Sequence, residues 1–214
     1  MGAKLVAEML RIDPYRPQWD RLRRAAAAIR SGELVVTPTD TVYGIAGDPF
    51  HPGVARKIFR LKRRPEKLPI LLLIDSMRQV DELTRELPPA FFRLARRFWP
   101  GPLTMILPAS ERVPSAIRAG GDGVALRLPA SELVRALVRV AGRPLTGTSA
   151  NHSGRPAART AEEARRELGR GPAYIIDGGA ARRGVASTLV DLCGEPRVLR
   201  EGAVPRSVIE RCLK

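Results

Sequence analysis

The chain has 214 residues, enough for one large domain or two small ones, with one the favoured count, and its 44% hydrophobic and 28% charged residues give a globular protein with a sizeable core and exclude disorder as its main state. Lys and Arg total 37 against 22 Asp and Glu, a formal charge of +15, so the expected partners are anions, although charge alone does not separate nucleic acid from nucleotide. The longest apolar run, Ile70 to Ile74, is too short to span a bilayer, and Met1 to Leu10 lacks the basic-then-apolar design of a signal peptide, so a cytoplasmic location without a membrane partner is expected.

In chain order, Trp19 to Ile29 reads as an amphipathic helix that stops at Ser31-Gly32, where glycine can take the left-handed cap conformation. A strand follows at Leu34 to Thr37. Val54 to Lys62 has helical spacing of Val54, Ile58 and Leu61, with Arg56, Lys57 and Arg60 mostly off that stripe, and Pro65 is expected to end it. Ile70 to Ile74 is a buried strand by its apolar run, followed by helices at Met77 to Leu83 and Ala90 to Phe98, the second broken by Pro100-Gly101-Pro102. Further strands are expected at Leu103 to Leu107, Val124 to Leu128, Leu145 to Ser149, Tyr174 to Asp177, Thr188 to Leu192 and Arg197 to Leu199. Further helices are expected at Glu132 to Val140, Ala161 to Leu168 and Ser207 to Cys212. Several strands follow one another without a helix between them, so the fold class is α/β or α+β with a mixed parallel and antiparallel sheet flanked by helices.

The common chemistries of a basic α/β protein are absent. There is no Gly-Lys dipeptide and so no Walker A loop, and Gly121-x-Gly123 precedes a strand instead of joining a strand to a helix. Gly147-Thr148-Ser149-Ala150-Asn151 places Asn151 where a nucleophile elbow needs its second glycine. Cys193, Cys212, His51 and His152 do not have the spacing of a zinc site, and no protein-held metal is expected.

Three segments remain as candidates for a site. In Thr37-Pro38-Thr39-Asp40-Thr41, an extended chain would place the hydroxyls of Thr37, Thr39 and Thr41 on one face; a Thr-rich edge and turn is the alternative. In Lys62-Arg63-Arg64-Pro65, the proline biases Arg64 out of the helix so that Lys62 and Arg64 can converge on a polyphosphate, against a solvated basic helix end. In Thr148-Ser149-Ala150-Asn151, Ser149 and Asn151 would share a face at a strand exit, against a plain Asx turn. Two more observations accompany these. Arg127 lies opposite the apolar face of Val124, Leu126 and Leu128 and needs an anionic partner. Ser187 shares a face with Asp191, and Arg200 ends the following strand; salt-bridge or edge-strand roles are the alternatives.

Taken together and in this order, these segments resemble the YrdC/TsaC family of threonylcarbamoyl-adenylate synthases over most of the chain. The resemblance is carried by Pro38 to Gly44, Lys62-Arg63-Arg64-Pro65, Trp99 to Thr104, Val124 to Pro129, Thr148 to Asn151 with Ser153-Gly154, Ser187 to Asp191, and Leu199 to Gly202. It implies a single YrdC-like domain over residues 1–214, with a twisted mixed sheet and a basic concave face. The implied reaction condenses L-threonine, bicarbonate and ATP, bound with Mg²⁺, to threonylcarbamoyl-AMP and pyrophosphate. The implied nucleotide-binding residues are Lys62, Arg64, Ser149, Asn151 and Arg200, with Lys62 and Arg64 as the catalytic pair. Thr39, Thr41, Arg127 and Ser187 would hold threonine, Arg127 pairing with its carboxylate. A downstream transferase complex would move the threonylcarbamoyl group to tRNA.

The chain departs from the family pattern after Lys-x-Arg, where Leu68-Pro69-Ile70 and Leu71 to Ile74 stand in place of Asn-Pro-Leu and a following His. By the resemblance, a nucleotide contact and a threonine contact are expected to be either missing or replaced. Because the sequence ends soon after Arg200, at Lys214, the short, single-domain family form is the expectation. The alternative function is a tRNA- or ribosome-maturation factor binding RNA directly on the same basic surface; ten aromatic residues offer it few stacking platforms. The carbamoyl-handling domain of hydrogenase maturation proteins ranks behind both, because its CxxC motifs are missing.

Overall fold

The computed structural model describes residues 7–66 and 68–213. Helix α1 (Trp19–Arg30) buries Leu22, Ala25, Ala26 and Ile29, the spacing that puts four small apolar side chains on one face. It ends as expected at Ser31, with Gly32 at a φ of 80°. Helix α6 (Glu132–Ala141) starts at Ser131, whose hydroxyl accepts the Val134 N–H, and stops at left-handed Gly142. These two helices cover one apolar layer with Val35, Ala46, Leu145 and Ile176. Helix α4 (Pro89–Phe98) buries Phe91 and Leu94, and helix α8 (Arg206–Leu213) buries Ile209 in the other, larger core. Each such fully buried side chain contributes about 1.5–3 kcal/mol.

The strands form two mixed sheets. The five-stranded sheet runs β1 (Glu8–Arg11), β9 (Tyr174–Asp177), β2 (Val35–Pro38), β3 (Tyr43–Ala46) and β8 (Thr148–Ser149). The first two pairings are parallel and the last two antiparallel. The six-stranded sheet runs β11 (Arg197–Arg200), β10 (Thr188–Asp191), β5 (Leu103–Pro108), β6 (Gly123–Arg127), β4 (Leu72–Leu73) and β7 (Leu145–Thr146). Its β10–β5 and β6–β4 pairings are parallel and the others antiparallel. The remaining helices are α2 (Val54–Lys62), α3 (Met77–Leu83), α5 (Ser115–Arg118) and α7 (Ala161–Leu168).

The mixed α/β class is therefore as expected, with a division into two sheets that periodicity does not reveal. Leu145 to Ser149, read as one strand, is two. β7 pairs with β4 in one sheet, β8 pairs with β3 in the other, and Gly147 lies between them. A Cβ there would stand 2.5 Å from Leu73 Cγ, so only glycine fits the crossover without displacing Leu73. Strands β1 and β3 and the single-turn α5 carry no periodic signal of their own. β3 is buried at all four positions, which erases alternation.

Candidate active site

A cavity of about 500 Å³ is lined from both sheets. The β2–β3 turn supplies Thr39 and Thr41, the end of α2 supplies Lys62 and Arg64, β6 supplies Arg127, the β7–β8 crossover supplies Thr148, Ser149 and Asn151, and β10 and β11 bring Ser187 and Arg200. Thus Lys62, Arg64, Ser149, Asn151, Arg200, Thr39, Thr41, Arg127 and Ser187 all meet in one space. Four of them are cationic, and among the described lining residues there is no carboxylate. The rest of the wall is largely apolar, including Leu71, Ile106, Ala125 and Leu189, with Leu68 and Leu199 about half exposed at it.

The hydroxyls have a defined sense. Thr39 Oγ1 donates to the Val42 carbonyl at 2.7 Å, so in its 2.9 Å contact with Thr41 it must accept. Thr41 Oγ1 in turn accepts from Arg127 Nη1 at 2.7 Å. The result is a one-way chain from guanidinium to Thr41, Thr39 and the backbone, each bond polarising the next. Thr37 does not join it. β2 ends at Pro38, and the chain turns where the Thr39 N–H meets the Val42 carbonyl. Thr37 is fully buried behind the turn and does not line the cavity. The expected row of three hydroxyls is a pair.

Arg127 finds its anion inside the protein. Its Nη2 donates to Asp40 Oδ1 at 2.7 Å and its Nε to the Gly101 carbonyl at 3.0 Å. Burial pulls its pKa down while Asp40 acts against that pull. Ser187 Oγ and Thr104 Oγ1 are 2.7 Å apart, and Arg200 Nη2 donates to the Ser187 carbonyl at 2.9 Å. Asp191, on the Ser187 face, lies outside the lining and 3.7 Å from Arg197.

Lys62 and Arg64 converge, by a different device from the one expected. Arg63 takes a left-handed φ of 50° and caps α2, so the helix ends before Pro65 or Arg64 is reached. Lys62 is only 3% exposed. It donates to the carbonyls of Ser149 and Asn151 and to Asn151 Oδ1, which engages all three of its N–H groups. It therefore ties the crossover loop down as well as supplying charge. Burial, with repulsion from Arg64 next, pushes its pKa down to about 8, against a smaller opposing effect of Glu167. Arg64 donates to Thr148 Oγ1 at 3.2 Å and to the Pro69 carbonyl at 2.8 Å, and burial, then Arg200, lowers its pKa. Asn151 is fixed further by donating to the carbonyls of His152 and Arg155.

Of the residues replacing the family Asn and His, Leu68 and Leu71 line the cavity while Leu73 is buried in the core against Gly147. Sequence reasoning missed Asp40, read only as part of a turn, and Thr104. Thr104 was legible as the polar residue opposite Leu103 and Met105 in an alternating strand. Among the described residues no group of three or more His, Cys, Asp or Glu is placed to hold a metal ion, and no helix is long and apolar enough to cross a membrane.

Comparison with known proteins places this geometry in a family. A family model described as "Telomere recombination", that of Sua5, YciO and YrdC, matches residues 27–202. The threonylcarbamoyl-AMP synthase of Pyrococcus abyssi is 42% identical over 92% of this chain, and that of Bacillus subtilis 36% identical over 89%. The chain spans 58% and 56% of the length of those two relatives. The structure of P. abyssi Sua5 complexed with L-threonine superposes with a TM-score of 0.91 at 40% identity, covering 95% of this chain and 60% of that one. With the match extending over most of its length and through every element that lines the cavity, the chain belongs to the Sua5/YciO/YrdC family.

Proposed function

We propose that this chain is a threonylcarbamoyl-AMP synthase, a nucleotidyltransferase that condenses L-threonine, bicarbonate and ATP and releases pyrophosphate. The observation that carries the reading is the grouping of Lys62, Arg64, Arg127 and Arg200 with the hydroxyls of Thr41 and Ser187 around one cavity free of carboxylates among its described lining residues. Relatives that bear this activity in their names, and a solved relative complexed with L-threonine, support it.

The amine of threonine and bicarbonate yield a carbamate with loss of water. A carbamate oxygen then bonds to the α-phosphorus of ATP while the bond to the β-phosphate oxygen breaks, so pyrophosphate leaves with the electron pair. Two anions must be brought together, and the cations of the cavity offset their repulsion. Arg127, with Thr41 and Ser187 beside it and Thr39 behind, holds the threonine end. Arg64 and Arg200 face the nucleotide, and Lys62 fixes the Ser149–Asn151 loop against it while adding charge. Among the described lining residues there is no carboxylate to hold a metal ion, so Mg²⁺ would come with the nucleotide and would supply further charge neutralisation beside Lys62, Arg64 and Arg200. The product is activated for a separate transferase complex that modifies tRNA.

The test is pyrophosphate release with threonine, serine or no amino acid, each with and without bicarbonate. Release that requires both threonine and bicarbonate supports the reading. RNA affinity that falls steeply with salt, without such release, would favour the nucleic-acid-binding alternative.

A further inference from the structure

Asp40 and Arg127 form an ion pair between the two sheets, beside the cavity. Asp40 belongs to the β2–β3 turn of the five-stranded sheet, Arg127 to β6 of the six-stranded sheet. Their Nη2–Oδ1 distance is 2.7 Å, with side chains 9% and 3% exposed. Asp40 Oδ1 also accepts the Ala130 N–H at 3.2 Å, just beyond β6. Asp40 is absent from the cavity lining, so it does not reach a ligand there.

The Arg127 guanidinium is fixed at three points, by Gly101 on Nε, Thr41 on Nη1 and Asp40 on Nη2. Of its five N–H groups this leaves one on each terminal nitrogen. Those two are what a ligand carboxylate can take, and the three protein contacts decide where they point. Arg127 also shares its cavity with three other cations, Lys62, Arg64 and Arg200. Removing the partner of a buried charge leaves that charge uncompensated, so its side chain reorients.

We propose that Asp40 is a positioning residue that aims the free edge of Arg127 at the threonine carboxylate. This rests on the reading of the cavity as a threonine site. Its contact with the Ala130 N–H holds backbone outside the cavity, so toward a ligand Asp40 acts through Arg127, and its effect falls on threonine and vanishes when Arg127 is absent.

The experiment compares steady-state pyrophosphate release in wild type, Asp40→Asn, Arg127→Ala and the double variant, with melting temperatures measured alongside. Asp40→Asn is expected to raise the threonine KM at least about tenfold and leave the ATP KM within about twofold. In the Arg127→Ala background the same change should add nothing to the threonine KM. Asp40→Glu, which keeps the charge, should recover part of the loss, and it carries the comparison if Asp40→Asn does not fold. An equal rise in both KM values, a lowered melting temperature with unchanged kinetics, or full additivity with Arg127→Ala would each overturn the proposal. Wild type that releases no pyrophosphate with threonine and bicarbonate removes the functional reading and this proposal with it. Wild type that turns over while Asp40→Asn keeps its threonine KM removes the proposal alone.

Discussion

Lys62 offers a test in which activity and stability move in opposite directions with pH. Its ammonium lies in the fold with a pKa of about 8 instead of 10.5, mainly because burial disfavours the charge. In the free enzyme about nine tenths of Lys62 is charged at pH 7 and slightly less than one tenth at pH 9, so the charged population falls about tenfold. Neutral Lys62 also turns a lone pair toward one of the three oxygens it had bonded, loosening the loop at Ser149 and Asn151. For stability the sign is reversed. Between pH 8 and 10.5 the unfolded chain keeps a proton that the folded chain has released, so stability rises with pH across that window, by roughly 3 kcal/mol in full. The penalty is fully present below pH 8. The assay is kcat/KM for ATP from pH 7 to 9 for wild type and Lys62→Arg, because bicarbonate and the threonine amine titrate in the same range and cancel in the ratio. That ratio should fall about tenfold. A flat ratio would refute the assignment of the alkaline limb to Lys62.

Arg127→Ala should raise the threonine KM at least about tenfold with little change for ATP; a selective rise for ATP would show the role misassigned. Arg64→Ala removes the bonds to Thr148 and Pro69 and one cavity cation. Losing a charge-assisted contact of about 1.5–3 kcal/mol should cut turnover at low ATP about tenfold or more, with circular dichroism unchanged. Gly147→Ala forces a methyl to within 2.5 Å of Leu73 Cγ. The overpacking should cost about 1–3 kcal/mol and lower the melting temperature by several degrees, with partial recovery in a Leu73→Ala background. Chelation of Mg²⁺ should abolish pyrophosphate release and be reversed by added Mg²⁺; persistence in excess chelator would exclude it.

The helices were legible because their apolar residues repeat on one face, as with Leu22, Ala25, Ala26 and Ile29. Lys62, Arg64, Ser149 and Asn151 were legible as cationic and small polar groups at element ends. Other features depend on partners distant in sequence. Asp40 reads as an ordinary turn residue, because the arginine that gives it a task lies 87 positions away. Thr37 follows the same local pattern as Thr39 but falls behind the turn, which is set by a hydrogen bond two residues later. The division of Leu145 to Ser149 between two sheets turns on Leu73 lying over Gly147, a contact that no local pattern encodes. Arg63 in a left-handed conformation was hidden by Pro65, which offered a plausible but later stopping point.

The passage of the chain from one sheet to the other at Gly147 makes the cavity a seam. Its walls belong to two hydrogen-bonded frameworks joined here by a five-residue stretch, so a ligand that touches both, as threonine and nucleotide together would, acts as a clasp. Occupancy should then slow amide exchange most at Thr146 to Asn151, through linkage between binding and the opening of the two halves.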